Sequence, residues 1–287
     1  MGGMTGHRNA PLEKTALALL ALACVFGFPS SAPAILRSPF DKAMSEAYMS
    51  RDTAVVGDGR ALGGVVPHHD IAVEMMTRFY GHFDKNRVKR IFILAPDHFG
   101  RARRPVAVCP DDWELSSGTI RADGEAAEAL GKLSFVDTRP DLFAGEHGVT
   151  VHIPLLAEFF PRASVVPIVF GPNIPDTAIL SLRNALRSVM RDGDIVILSA
   201  DLSHYKTPEA MATEDERTIR ALANMDAAAL NSADIDARKA AALALLLMKD
   251  MGARSGRLLE RSDTSDILGY RIESGTSYAT IIYLRGE

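Results

Sequence analysis

The chain has 287 residues, 47% hydrophobic and 24% charged, with a formal net charge of −4, a balance that excludes disordered and collagen-like classes. It offers no basic patch for a nucleic-acid partner; the densest basic stretch, "GRARRP" (100–105), reads as a short loop. Two cysteines, Cys24 and Cys109, are too few for a disulfide framework or a cysteine-built zinc cluster, so any metal must rest on histidines and carboxylates.

Arg8 and Lys14 precede the apolar run "TALALLALACVFGF" (15–28), and "PSSAPA" follows, with Ala32 and Ala34 in an A-x-A pattern. That run is short for a bilayer span but has the layout of a secretory signal. The expectation is a signal peptide over 1–34, export to the periplasm or exterior, no stable membrane span, and one domain over 35–287. A misassigned start would instead leave the protein in the cytoplasm.

Beyond it, "ILRSPFDKAMSEAYMSRDTA" predicts a short helix and "ALGGVVP" (61–67) a strand. Over 71–83, Val73, Met76, Phe79, Tyr80 and Phe83 recur at helical spacing. "KRIFILA" (89–95) is a buried strand ending at Pro96, and "PVAVCP" (105–110) is a further strand. Helices are predicted over 124–133, over 150–161 with Pro154 near the first turn, and over 176–190 with Asp176 as N-cap. Strands are predicted over 163–171, 194–200 and 276–284, and long helical runs over 208–231 and 234–252. Doubly apolar strands alternating with helices indicate an α/β fold, a central mostly parallel or mixed sheet with helices on both faces.

Ligands of such sheets bind beyond the carboxyl ends of the strands, and that is where the histidines fall. His68, His69 and Asp70 follow strand 61–67, Asp97 and His98 follow strand 89–95, and Asp201 and His204 follow strand 194–200. "EHGVTVH" adds Glu146, His147 and His152 at the entry to a helix. Two helical residues five apart point about 140° away from each other, so His147 and His152 share a cavity only if His147 precedes the helix. Imidazoles with a carboxylate suit a divalent transition metal such as Fe(II), Zn(II) or Cu(II).

"VPHHD", "ILAPDHFG", "EHGVTVHIPLL", "VVPIVFG" and "ILSADLSHY", in this order, resemble the Memo-like family, whose bacterial members are called AmmeMemoRadiSam system protein B. The resemblance spans roughly residues 60 to 284, closing on "DTSDILGYRIESGTSYATIIYL". It implies a fold like that of class III extradiol dioxygenases and a metal, iron(II) or copper, held by His68 and His98. Asp201 and His204 match the family's "SDxxH" and His152 its "EMH" histidine, so all three are alternatives for the third ligand and candidate catalytic groups; His204 would be the acid–base residue. His69, Asp70, Asp97, Glu146 and His147 would line or support the pocket. The chain departs from the family at His69-Asp70-Ile71, where Ala-Gly-Tyr is usual, and at Phe99, where a second histidine is usual. It also lacks the cysteine of the family's "CGRxPI" segment, matched here to residues 236–247, where Asp236 is a stand-in. The resemblance implies a non-haem metal-dependent oxidoreductase acting with O₂ on a small molecule, alongside radical-SAM and AMMECR-type proteins. A true extradiol ring-cleaving dioxygenase and a non-catalytic adaptor of the same fold stay open.

Overall fold

The computed structural model describes residues 35–51 and 57–286; the predicted signal segment lies outside the described residues. Four runs with no polar side to present, "ALGGVV", "RIFILAP", "SVVPIVF" and "DIVILS", form parallel strands Ala61–Val66, Arg90–Pro96, Ser164–Phe170 and Asp194–Ser199. They lie side by side as Ser164–Phe170, Arg90–Pro96, Asp194–Ser199, Ala61–Val66, with Phe92 in register with both Val166 and Val196. Because side chains alternate along a strand, Phe92, Leu94, Val166, Ile168, Val196 and Leu198 enter one core. That core is closed by helices Asp176–Val189, Pro208–Ala223 and Arg238–Asp250. Ile91, Ile93, Ala95, Val165, Val169, Ile195 and Ile197 enter the other, under helices Asp41–Ser50, Val73–Gly81 and His152–Phe159.

The sheet is mixed. Gly275–Leu284 runs antiparallel to Ala61–Val66 and pairs on its other edge with Gly256–Asp263, while Val106–Val108 runs antiparallel to the end of Ser164–Phe170. Strands Ala61–Val66 and Asp194–Ser199 approach so closely that a Cβ at Gly63 would sit 2.0 Å from the Val196 carbonyl oxygen. At the amino end of the sheet, buried Arg90 donates to Asp194 Oδ2 (2.6 Å), Asp123 Oδ2 (3.0 Å) and the Val189 carbonyl (2.6 Å).

Several boundaries differ from the sequence reading. The helix predicted over 150–161 begins earlier, as a turn His147–Thr150 that runs through Val151 into His152–Phe159. Asp176 is inside the first turn of its helix, after Pro175, and its carboxylate turns to Lys239 Nζ at 2.5 Å instead of capping. The run 208–231 stops as a helix at Ala223, and Met225 takes a left-handed φ of 55°. Strand Gly256–Asp263 and hairpin Trp113–Leu115/Gly118–Ala122 escape the pattern because they are short or carry charged residues on one side. No helix among the described residues is long and apolar enough to cross a membrane.

Candidate metal centre

Three neighbouring parallel strands end at Val66, Pro96 and Ser199, and two residues past each end stand His68, His98 and Asp201. The strand order makes them converge: the Asp194–Ser199 strand comes last in chain order of the four yet inserts between the two strands that carry the histidines. This is the topological switch point at which open α/β sheets bind ligands. His68 is held by its backbone N–H, which donates to Asp201 Oδ1 at 3.0 Å. His98 is held likewise by its N–H to Glu146 Oε2 at 3.0 Å.

Hydrogen-bond accounting then assigns the protons on the rings. The Ser199 hydroxyl donates to the Gly148 carbonyl at 2.6 Å, so toward the imidazoles it can only accept. His68 Nδ1 and His152 Nε2, each 3.0 Å from Ser199 Oγ, are therefore the protonated nitrogens. His152 Nδ1 is left to accept from the Tyr80 hydroxyl at 2.9 Å. His98 Nδ1–H donates to Glu146 Oε1 at 2.5 Å, leaving its Nε2 unprotonated in the neutral ring.

His68 Nε2 and His98 Nε2 thus point lone pairs at each other across 3.1 Å. A carboxylate joins them: Asp236 Oδ2 is 3.1 Å from His68 Nε2 and 3.7 Å from His98 Nε2. Both Asp236 oxygens are shut off from solvent, and neither has a hydrogen-bond partner among the described residues. Three electron-pair donors facing one point repel unless a cation lies among them. Ligands bound at about 2.1 Å and 90–110° apart stand roughly 3.0–3.4 Å from one another, close to the separations seen. The donor set, two imidazoles and one carboxylate, suits a divalent transition metal.

His147 lies flat over His98, ring centroids 3.8 Å apart and tilted 31°. One nitrogen from each of His68, His98 and His147 can be chosen within 4.8 Å of the others, so His147 is a second way to complete the site. Gly148 admits this crowding, since a Cβ there would lie 3.2 Å from the His98 ring and 3.3 Å from Glu146 Oε1.

The charges follow the same geometry. Burial pulls His98 down, but the Asp236 and Glu146 carboxylates outweigh it and push it up to about 9. His68 also moves up, burial being overcome by Asp201 and Asp236. Burial and then the His98 and His68 charges lower His147 to about 4, and burial lowers His152 to about 3. Asp236 moves down against its burial because the two imidazoles favour its charge, whereas burial raises Asp201. Without a metal, a proton therefore fills the gap between the rings. A raised imidazole stabilises the fold fully below its unfolded value of about 6.5 and loses that contribution as pH climbs through about 9. Metal must displace that proton, so affinity is expected to rise, with protons released, as pH goes from about 6.5 to about 9. Titration calorimetry in buffers of different ionisation enthalpy reads the proton count.

The remaining sequence candidates are sorted by contact. Asp201 anchors His68, and its Oδ2 is 3.7 Å from His68 Nε2. His204 donates Nδ1–H to the Leu202 carbonyl at 2.8 Å and lines a cleft of about 370 Å³ with Asp97, Asp236 and Arg238. Asp97 accepts the N–H groups of Arg101 (3.1 Å) and Ala102 (2.8 Å), shaping the loop after His98. His152, fully buried, reaches His68 only through Ser199. His69 Nδ1 and Asp70 Oδ1 lie 3.0 Å apart on an exposed turn, where both accept from the Ile71 N–H, and neither reaches the histidine cluster. Ser199, unremarkable in a strand run, is the shared acceptor that sets two tautomers. Its replacement by alanine is expected to lower metal affinity about 10–100-fold, read by competition with a chromophoric chelator.

Comparison with known proteins bears on the same residues. The profile described as Memo-like protein matches residues 37–282. A MEMO1 family protein of Pyrobaculum arsenaticum is 28% identical over 244 residues, 79% of this chain and 84% of the relative. One from Caldivirga maquilingensis is 26% identical over 237 residues, 78% of this chain and 83% of the relative. In fold, the chain is similar to the crystal structure of an uncharacterized protein of Escherichia coli K12, with a TM-score of 0.51 at 10% identity, covering 78% of this chain and 99% of that one. With a profile match across nearly all of the sheet and the histidine cluster at its carboxyl edge, the chain belongs to the Memo-like protein family.

Proposed function

We propose that this protein is a metal-dependent oxidoreductase that holds iron(II) or copper at His68 Nε2, His98 Nε2 and Asp236 Oδ2 and acts with O₂ on a small molecule in the adjoining cleft. The observation that carries the reading is the pair of Nε2 atoms 3.1 Å apart, their Nδ1 partners committed to Ser199 and Glu146, beside the buried Asp236 carboxylate. When bound, such an ion supplies one-electron chemistry and open positions for O₂ and substrate. The chain does the rest. Ser199 and Glu146 keep the ring protons on Nδ1, and Asp201 and Glu146 hold the two histidine backbones in place. His204, its Nδ1–H tied to Leu202, turns an Nε2 lone pair free to take a proton, the role of a general base.

The test is O₂ uptake by iron(II)- or copper-loaded protein with ascorbate as reductant. The reading expects consumption above that of the free ion, abolished in His98→Ala and slowed in His204→Gln. Uptake no faster than free metal would leave a metal-binding protein without this activity. The Asp236 carboxylate also favours a second reading, an extradiol dioxygenase, because it completes a two-histidine, one-carboxylate set; ring-cleavage products from catechols with iron(II) distinguish it. We also propose export by the segment 1–34, checked by the mass of the mature N-terminus, and association with radical-SAM and AMMECR-type proteins, checked by co-purification.

A further inference from the structure

The cleft beside the metal-site residues has an unbalanced wall. Asp97 is taken by the Arg101 and Ala102 N–H groups, Asp234 by Lys206 Nζ at 2.6 Å, and Lys239 by Asp176 at 2.5 Å. Asp236 faces the imidazoles. Arg238 differs: among the described residues no carboxylate lies within reach of it. Arg238 is exposed at the rim of the cleft; its Nε–H donates to the Ala233 carbonyl at 2.7 Å, which fixes the guanidinium plane and leaves both Nη groups without a protein partner among the described residues. Arg238 also opens the 13-residue helix Arg238–Asp250, where Lys239 follows it and the cap, Ala237, offers no side-chain acceptor. Cations in a first helical turn oppose the positive end of the helix dipole, and an anion there relieves them.

We infer that the cleft accepts a small organic molecule bearing an oxyanion, carboxylate or phosphate, which pairs with the Nη groups of Arg238 while its other end reaches His204 and the Asp236 edge of the metal site. Two parallel N–H···O bonds to one oxyanion are the pairing a guanidinium anchored through Nε makes. Asp236 and Arg238, two positions apart, line the same cavity of about 370 Å³, which lies in the size range of small-molecule sites. The inference rests on the metal reading above and names the class of substrate for that site.

The experiment separates the two claims. Protein is loaded with zinc(II), which does not turn over with O₂, and its metal is counted first. It is then titrated with 3,4-dihydroxybenzoate and with catechol, which differ only by the carboxylate. The acid is expected to bind at least about tenfold tighter, and that preference is expected to fall to about one in Arg238→Gln at unchanged metal content. Equal affinities in the wild type, or a preference that survives in Arg238→Gln, overturns the inference. If zinc is not bound, the metal reading fails, and benzoate titrated into metal-free wild type and Arg238→Gln still decides the anion site: weaker binding by the variant supports it and equal binding overturns it. Displacement of the bound acid by benzoate assigns a carboxylate and by phenyl phosphate a phosphate, whereas displacement by neither overturns the inference.

Discussion

Alanine at His98 or Asp236 is expected to cut affinity for a divalent transition metal by at least about 100-fold, because losing a mere outer partner of a ligand already costs 10–100-fold. The two substitutions differ in what they leave behind. His98→Ala removes one of the facing nitrogens, so His68 Nε2 and Asp236 Oδ2, 3.1 Å apart, are free to share a proton as an ordinary pair. Asp236→Ala leaves the two imidazoles 3.1 Å apart with no carboxylate to hold charge between them. Metal-free Asp236→Ala is therefore expected to give up part of the raise at His98, the Glu146 share remaining, visible as a downward shift in its NMR titration. His147→Ala is the control: if Asp236 is the third ligand, metal content survives it.

The second large effect lies at the other end of the sheet. Arg90→Ala is expected to destabilise the fold by about 3–5 kcal/mol, measured by denaturant unfolding. Its guanidinium is buried and satisfies Asp194, Asp123 and the Val189 carbonyl together. Removing it strands the buried Asp194 carboxylate beneath two adjacent strands, Arg90–Pro96 and Asp194–Ser199, which begin in register there. Replacing Arg90 with methionine together with Asp194 by leucine is expected to recover much of the loss, since the cost comes from the unpaired charge and not from a missing attraction.

These two ends of the sheet were unequally legible in the sequence. The parallel core announces itself because a strand covered on both faces must be apolar throughout, and "RIFILAP" or "DIVILS" can be little else. His68 and His98 are legible for the same reason: each stands just past such a run, where an α/β sheet presents its ligand site. Arg90 reads as a polar flank, because nothing in "KRIF" tells that Asp123 and Asp194 fold onto it. Asp236 follows no strand and opens what reads as a continuous helix from 234 to 252; only the match to "CGRxPI" points to it. The helix in fact begins at Arg238, which frees Asp236 to turn back to the imidazoles. Glu146 is legible as a pocket residue through "EHGVTVH", but its pairing with His98 across 48 residues is not, and Ser199, which meets His68 across 131, is not legible at all. Such pairings are set by strand order, in which the Asp194–Ser199 strand slips between its elders, and strand order is not written in periodicity.

The measurement that bears most directly on the account is anomalous diffraction from crystals of the protein soaked in turn with iron(II), copper and zinc. The account predicts one strong peak per chain, within about 2.0–2.2 Å of His68 Nε2, His98 Nε2 and an Asp236 carboxylate oxygen. A peak that leaves Asp236 unbound, with His147 as third ligand, would contradict the assignment of the carboxylate. The absence of any peak at His68 and His98 would contradict the metal centre itself.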